Sequence, residues 1–153
     1  MNTSAVVQVF GIPTDHQFTS QDDLVAMFLD SLSPTNTLHN GDIIVITSKV
    51  VAKCEGRVVT EANDRESAIR SQAKRVVATK VHDRGVTTIV ETHAGLILAA
   101  AGVDASNTEP GTIVLLPVDS DHSARGIREK IEERAGVSIG VIITDTLGRA
   151  WRL

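Results

Sequence analysis

Leu96-Ile97-Leu98-Ala99-Ala100-Ala101-Gly102-Val103-Asp104-Ala105-Ser106-Asn107 is the stretch around which the chain is organised. An apolar run from Leu96 to Ala101 enters a turn that holds an acid, a hydroxyl and an amide, and a second strand-like run, Thr112 to Leu116, leaves it. Short polar side chains of this kind bond nearby backbone or bind a cation. Taken alone, the turn reads as a self-capped loop in which Asp104 and Asn107 satisfy neighbouring N–H groups. A second stretch shifts the balance, because Val137 to Ile143 runs into Thr144-Asp145-Thr146 and then Gly148 and Arg149. Two strand patterns, each ending in an aspartate beside hydroxyls, predict two hard oxygen ligands at one sheet edge. Magnesium and manganese are held in this way, by one or two carboxylates plus the phosphates of a nucleotide.

Composition bounds the rest. A chain of 153 residues can build one core or two small lobes, but not two full domains. Its hydrophobic fraction of 42% and charged fraction of 22% are those of an ordinary globular protein. Aromatic residues make up only 3% and tyrosine is absent, so Val, Ile, Leu and Ala must supply the core. The net charge of −4 gives no footprint for nucleic acid or an anionic membrane. The single cysteine, Cys54, excludes an internal disulfide and a cysteine-based zinc site and suits a reducing cytoplasm. Met1-Asn2-Thr3-Ser4 has no basic start and no following apolar run, so no signal peptide is expected. No apolar run approaches the length of a bilayer span. A cytoplasmic location without nucleic-acid or membrane partners is the expectation.

The periodicities predict an α/β chain in which strands alternate with three helices. Val6 to Phe10 reads as a short buried strand closed by the stiff turn Gly11-Ile12-Pro13. Ser20-Gln21-Asp22-Asp23 reads as a helix start with Ser20 as N-cap, followed by Leu24, Met27, Phe28 and Leu32 at helical spacing. Asp42 to Thr47 is a β-branched run expected to be a strand buried on both faces. Ser48-Lys49-Val50-Val51-Ala52-Lys53-Cys54-Glu55-Gly56 fits either a strand or a short helix closed by Gly56. On the helical reading, Lys49 and Lys53 share a face beside Ser48, a plausible phosphate cradle; the alternative is a solvated basic edge. The stretch lacks the glycine spacing of a Walker-type loop.

Asp64 to Val77 reads as the second helix, with Ile69, Ala73 and Val76 inward and Arg65, Arg70, Lys74 and Arg75 on a wet face. Thr87 to Val90 and Leu96 to Ala101 are strand expectations, with His93 a lone loop histidine between them. No other histidine stands at ligand spacing, so zinc is not expected. Asp121 to Ala135, ended by Gly136, is the third helix, and Val137 to Ile143 the last strand.

Laid out in this order, the sequence resembles the coenzyme F420-0:L-glutamate ligase family, and most closely the ligase portion of the bifunctional actinobacterial form. Gly11-Ile12-Pro13, Gly41-Asp42 and the run Thr47 to Arg57 carry the resemblance first. Ala99 to Asn107, Leu115-Leu116-Pro117-Val118-Asp119 and Thr144 to Arg152 complete it in family order. The resemblance implies GTP-dependent addition of L-glutamate to coenzyme F420-0 through an acyl phosphate, giving an amide and then γ-glutamyl links. It implies a two-lobed fold, mixed α+β, in an intertwined homodimer, with Mg2+ or Mn2+, and K+ as a further cation.

By the family pattern Asp104 and Asp145 are metal ligands and the catalytic acids, with the Thr146 oxygen on a second metal. Ile12, Pro13, Thr14 and Asp15 line the GTP, Ser48 and Lys53 meet its phosphates or guanine side, and Asn107 also touches it. Thr14 stands where an acidic residue is common in the family. The resemblance also implies that residues 1–153 form the N-terminal part of the ligase domain. The family domain continues beyond, and in the bifunctional form a flavin-binding domain follows. The alternative is an inactive, truncated nucleotide-binding, metal-binding or dimerisation module.

Overall fold

The structure is a computed structural model, and it describes residues 6–60, 65–83, 85–105 and 110–146. The architecture is mixed α+β, as expected, built from small sheets rather than one large one. Four α-helices lie among the described residues, where three were predicted. The extra one comes from the stretch whose period was ambiguous.

The first helix, α1 (Leu24–Asp30), is capped by Asp23 and not by Ser20. The Asp23 carboxylate accepts from the Val25 and Ala26 N–H groups at 3.1 and 3.0 Å. Asp22 is drawn the other way, accepting from the Thr19 N–H at 2.6 Å and meeting His16 Nε2 at 3.0 Å. That outward network leaves the next carboxylate to start the helix, which is therefore shorter than predicted.

Strand β1 (Ile43–Thr47) passes directly into α2 (Ser48–Cys54), and this settles the ambiguity in favour of a helix. A Schellman closure ends α2: the Arg57 N–H reaches the Ala52 carbonyl at 2.8 Å and the Gly56 N–H reaches that of Lys53 at 3.0 Å. Gly56 supplies the required left-handed conformation, with φ of +69°. Strand β2 (Val58–Val59) follows.

Helix α3 (Arg65–Gln72) stops well before Val77, and the rest of the predicted second helix becomes β3 (Ala73–His82). This strand forms an antiparallel hairpin with β4 (Gly85–Thr92), with irregular register between Ala73 and Arg75 and between Val76 and Ala78. The spacing of Ile69, Ala73 and Val76 imitates a helical face, but Val76 is 56% exposed. The hairpin partner and the β-branched run that includes Val76, Val77, Thr79 and Val81 decide for the strand. Lys74 and Arg75 then reach across the ladder to Glu91 at 2.9 and 2.6 Å, a cross-strand cluster rather than a helical wet face. Strand β5 (Ile97–Ala99) completes this sheet against β4, and His93 lies in the turn before it.

Strand β6 (Ile113–Val114) pairs antiparallel with β2. Helix α4 (Ser120–Ala135) matches the expected third helix, with Asp119 as N-cap and Gly136 at φ +69° ending it. Strand β7 (Gly140–Thr144) runs parallel to β1, in register from Ile43 opposite Gly140 to Thr47 opposite Thr144. One face of this pair joins Val25, Ile131 and Ile139 through Ile44. The other face shows Ile43 and Val45 at about 60% exposure, so β1 is not covered on both faces by the described residues. A second apolar cluster gathers Ile69, Val90, Ala101, Val103, Ile113 and Leu115. Val6 to Phe10 is neither strand nor buried, because no strand among the described residues pairs with it and its valines are more than 80% exposed.

Candidate functional site

The two aspartate turns lie in different sheets but open onto one cleft of about 610 Å³. Asp145 follows β7 directly, whereas Asp104 follows β5 by way of a left-handed turn. That turn strings together Ala100, Ala101 and Gly102 at φ of 51°, 53° and 70°. Alanine pays for a left-handed backbone, and strain of this kind persists only where surrounding structure imposes it. Here Ala101 is buried in the β4–α3 cluster at 1% exposure, and Gly102 lies under Leu116. Beyond the turn, the Asp104 main chain is fixed in both directions to Val114, N–H to carbonyl at 3.0 Å and carbonyl to N–H at 2.8 Å. The Asp104 main chain thus belongs to a bridge, and its carboxylate meets the first turn of α2.

The first turn of α2 reaches both acids. Parallel register places Thr47 beside Thr144, so the following residues, Ser48 and Asp145, emerge side by side. Ser48 Oγ donates to Asp145 Oδ2 at 2.6 Å, and the serine is buried at 5% exposure. Lys49 Nζ lies 2.6 Å from Asp104 Oδ2, a charge-assisted contact at short range. Asp145 Oδ1 accepts from the Thr146 N–H at 2.6 Å. On the far wall, Arg65 donates from Nη2 to the Val103 carbonyl at 3.2 Å, leaving a guanidinium in the lining.

Ser48, Asp104, Asp145 and Thr146 therefore line one cleft, drawn from three separate segments. Lys53 belongs to the last turn of α2 and is not part of that lining. Ile12, Pro13, Thr14 and Asp15 sit in the irregular exposed segment before α1, where Thr14 Oγ1 accepts from the His16 N–H, and they do not line the cleft. Asn107 lies outside the described residues. Two cleft residues were not singled out from sequence for these places. Lys49 was read only as half of an ammonium pair, and Arg65 as part of a wet helical face. The signal for Lys49 was its place beside Ser48 at a strand end; nothing local marks Arg65.

The donor set is all oxygen at the two turns, which suits a hard divalent cation. Among the described residues, no three His, Cys, Asp or Glu side chains gather as a closed metal cage. Two carboxylates in an open, polar cleft suit a cation that completes its shell with phosphate oxygens and water. No helix among the described residues is long and apolar enough to cross a membrane.

A family model described as F420-0:Gamma-glutamyl ligase matches residues 15–153. The coenzyme F420:L-glutamate ligase of Methanopyrus kandleri is 32% identical over 155 residues, which covers 92% of this chain and 60% of that protein. That of Archaeoglobus fulgidus is 35% identical, covering 95% of this chain and 62% of the relative. That of Methanocaldococcus jannaschii is 34% identical over 81% of this chain and 55% of the relative. The chain spans about 60% of the length of these curated relatives. With a family match over nearly its whole length, the chain belongs to the F420-0:gamma-glutamyl ligase family.

Proposed function

We propose that this chain carries the cation and phosphate part of a GTP-dependent ligase that adds L-glutamate to coenzyme F420-0. The observation that carries the reading is the meeting of Asp104 and Asp145 with Ser48 and Lys49 in one cleft, from segments far apart in sequence. Family membership supplies the substrate class, since the named relatives are coenzyme F420:L-glutamate ligases.

A carboxylate is a poor electrophile, so amide formation needs it activated first. In this reading a carboxylate oxygen of the precursor takes the γ-phosphoryl group of GTP, and GDP leaves. The glutamate amine then attacks the acyl carbon, phosphate departs with the C–O bonding electrons, and the new amide nitrogen gives up a proton. Positioning and charge neutralisation dominate phosphoryl transfer. Asp104 and Asp145 would hold magnesium or manganese, which draws charge from the phosphate oxygens when bound. The Ser48 hydroxyl orients the Asp145 carboxylate, and the Thr146 N–H fixes its other oxygen. Lys49 and Arg65 give the cleft its positive groups.

The test is calorimetric titration of GTP into the chain with and without manganese, beside Asp104→Asn and Asp145→Asn. Manganese-dependent binding that both substitutions abolish is the expected outcome. Binding by wild type that survives in both variants would remove the two aspartates from the site.

A second reading, a binding or dimerisation module without turnover, draws on the β1–β7 pair, which presents Ile43, Val45 and Ile142 outward. Glutamate-dependent release of GDP from GTP and F420-0 separates the two readings. Sedimentation velocity reports whether the apolar face pairs two copies into a homodimer.

A further inference from the structure

The two cleft acids are engaged by consecutive residues of one helical turn, but in chemically different ways. Ser48 offers Asp145 a neutral hydroxyl at 2.6 Å, whereas Lys49 offers Asp104 a full positive charge at 2.6 Å. A hydroxyl can stay beside a carboxylate that ligates a cation, since it brings no charge to compete. An ammonium ion in contact with the same carboxylate oxygen cannot, because it fills the position and repels the incoming ion.

We propose that Lys49 is the resident counter-cation of Asp104, displaced when a divalent cation enters the cleft and thereby released toward the phosphate oxygens of the nucleotide. The inference rests on the reading of Asp104 as a cation ligand and extends it to a residue outside the family's ligand pattern given above.

The mobility of the two partners points the same way. Asp104 is held by its main chain to Val114 on both sides and follows a strained turn, so its carboxylate has little freedom to withdraw. Lys49 carries its charge on a flexible four-carbon stem with three rotatable donors. Its side chain is 25% exposed, open enough to swing without unpacking α2. The second positive group of the lining, Arg65, is directed at the Val103 carbonyl at 3.2 Å, whereas Lys49 is in direct contact with the Asp104 carboxylate. The cleft thus keeps an internal charge in place until a stronger one arrives.

Manganese titration by calorimetry, without nucleotide, tests this on the 153-residue chain and on Lys49→Met, Lys49→Arg and Asp104→Asn. Lys49→Met should bind manganese about one-and-a-half- to fivefold more tightly than wild type, the range a partly exposed ion pair commands. Lys49→Arg, which keeps the charge, should stay near wild type or bind more weakly. As a measurement on the unmutated protein, Lys49 acetylation by an amine-reactive ester, followed by mass spectrometry, should accelerate when manganese is added. Asp104→Asn should abolish that acceleration. Equal or weaker binding by Lys49→Met, with binding still lost in Asp104→Asn, overturns the counter-cation role while sparing the Asp104 ligand. Manganese binding unchanged in Asp104→Asn, or absent from every protein including Lys49→Met, overturns both.

Discussion

Replacement of Gly102 by alanine separates two costs that usually travel together. Gly102 has φ of +70°, and a Cβ built on it would lie 2.6 Å from Leu116 Cδ1 and 2.8 Å from Leu116 Cγ. The left-handed backbone costs a side-chain-bearing residue roughly 1–2 kcal/mol. Overpacking adds about 1–3 kcal/mol, toward the lower end when a single side chain can turn away. Leu116 can change rotamer, but its backbone cannot retreat, because Arg57 Nε holds its carbonyl at 3.0 Å and the Arg57 carbonyl holds Leu115 N–H at 3.0 Å. The sum is about 2–4 kcal/mol, which for a chain of this size is roughly 4–16 °C in Tm.

The control is Gly111→Ala, where φ is +80° but a Cβ would meet nothing within 4 Å. It should lose only the backbone term, about 1–2 kcal/mol. Gly126→Ala, in the middle of α4 with open space around it, should gain roughly 0.5–1 kcal/mol. Urea unfolding of the three variants, followed by circular dichroism, ranks them directly. If Gly102→Ala costs no more than Gly111→Ala, the close approach of Leu116 does not shape the turn. The explanation of how Asp104 is aimed would then fail with it.

Two further outcomes follow from ionisable groups away from the cleft. Asp23 is held below its ordinary pKa of 3.8, first by the hydrogen bond from Arg134 at 2.8 Å and then by the Ala26 N–H. A depressed carboxylate stabilises above its unfolded value and loses that contribution as pH falls through the folded value. The Tm difference between wild type and Asp23→Asn should therefore be full at neutral pH and vanish on acidification below 3.8. A difference that grows on acidification would refute it. Burial, with Asp22 and Glu55 nearby, pushes the Cys54 thiol up to about 11. At pH 8 it should react with Ellman's reagent at least roughly tenfold more slowly than a free thiol, since only the thiolate attacks.

What the sequence could reveal is graded by how local the deciding physics is. Helix α4 was legible almost to the residue because its apolar spacing and Gly136 both act within a few positions. The end of β7 was legible because a β-branched run meeting Thr144-Asp145 is a local event as well. Strand β3 was hidden, since Ile69, Ala73 and Val76 continue a helical spacing past the point where α3 stops. Only pairing with β4 breaks that pattern. Val6 to Phe10 failed in the opposite sense, because a strand composition forms no ladder without a partner, and no strand among the described residues pairs with it.

The same division runs through the site. Sequence by itself nominated the two aspartate turns and the segment after β1, because residue type and position at a strand end are written locally. It placed the two acids at one sheet edge, and the structure instead brings them from separate sheets to a shared cleft. Tertiary structure alone decided their partners. The in-register parallel pairing of β1 and β7 ends at Thr47 and Thr144, and that alignment sets Ser48 against Asp145 across 97 positions of chain. The left-handed turn and the bridge to Val114 then aim Asp104 at Lys49. Ligand type is a property of one residue, but a hydrogen bond across a sheet depends on register, which local sequence does not encode.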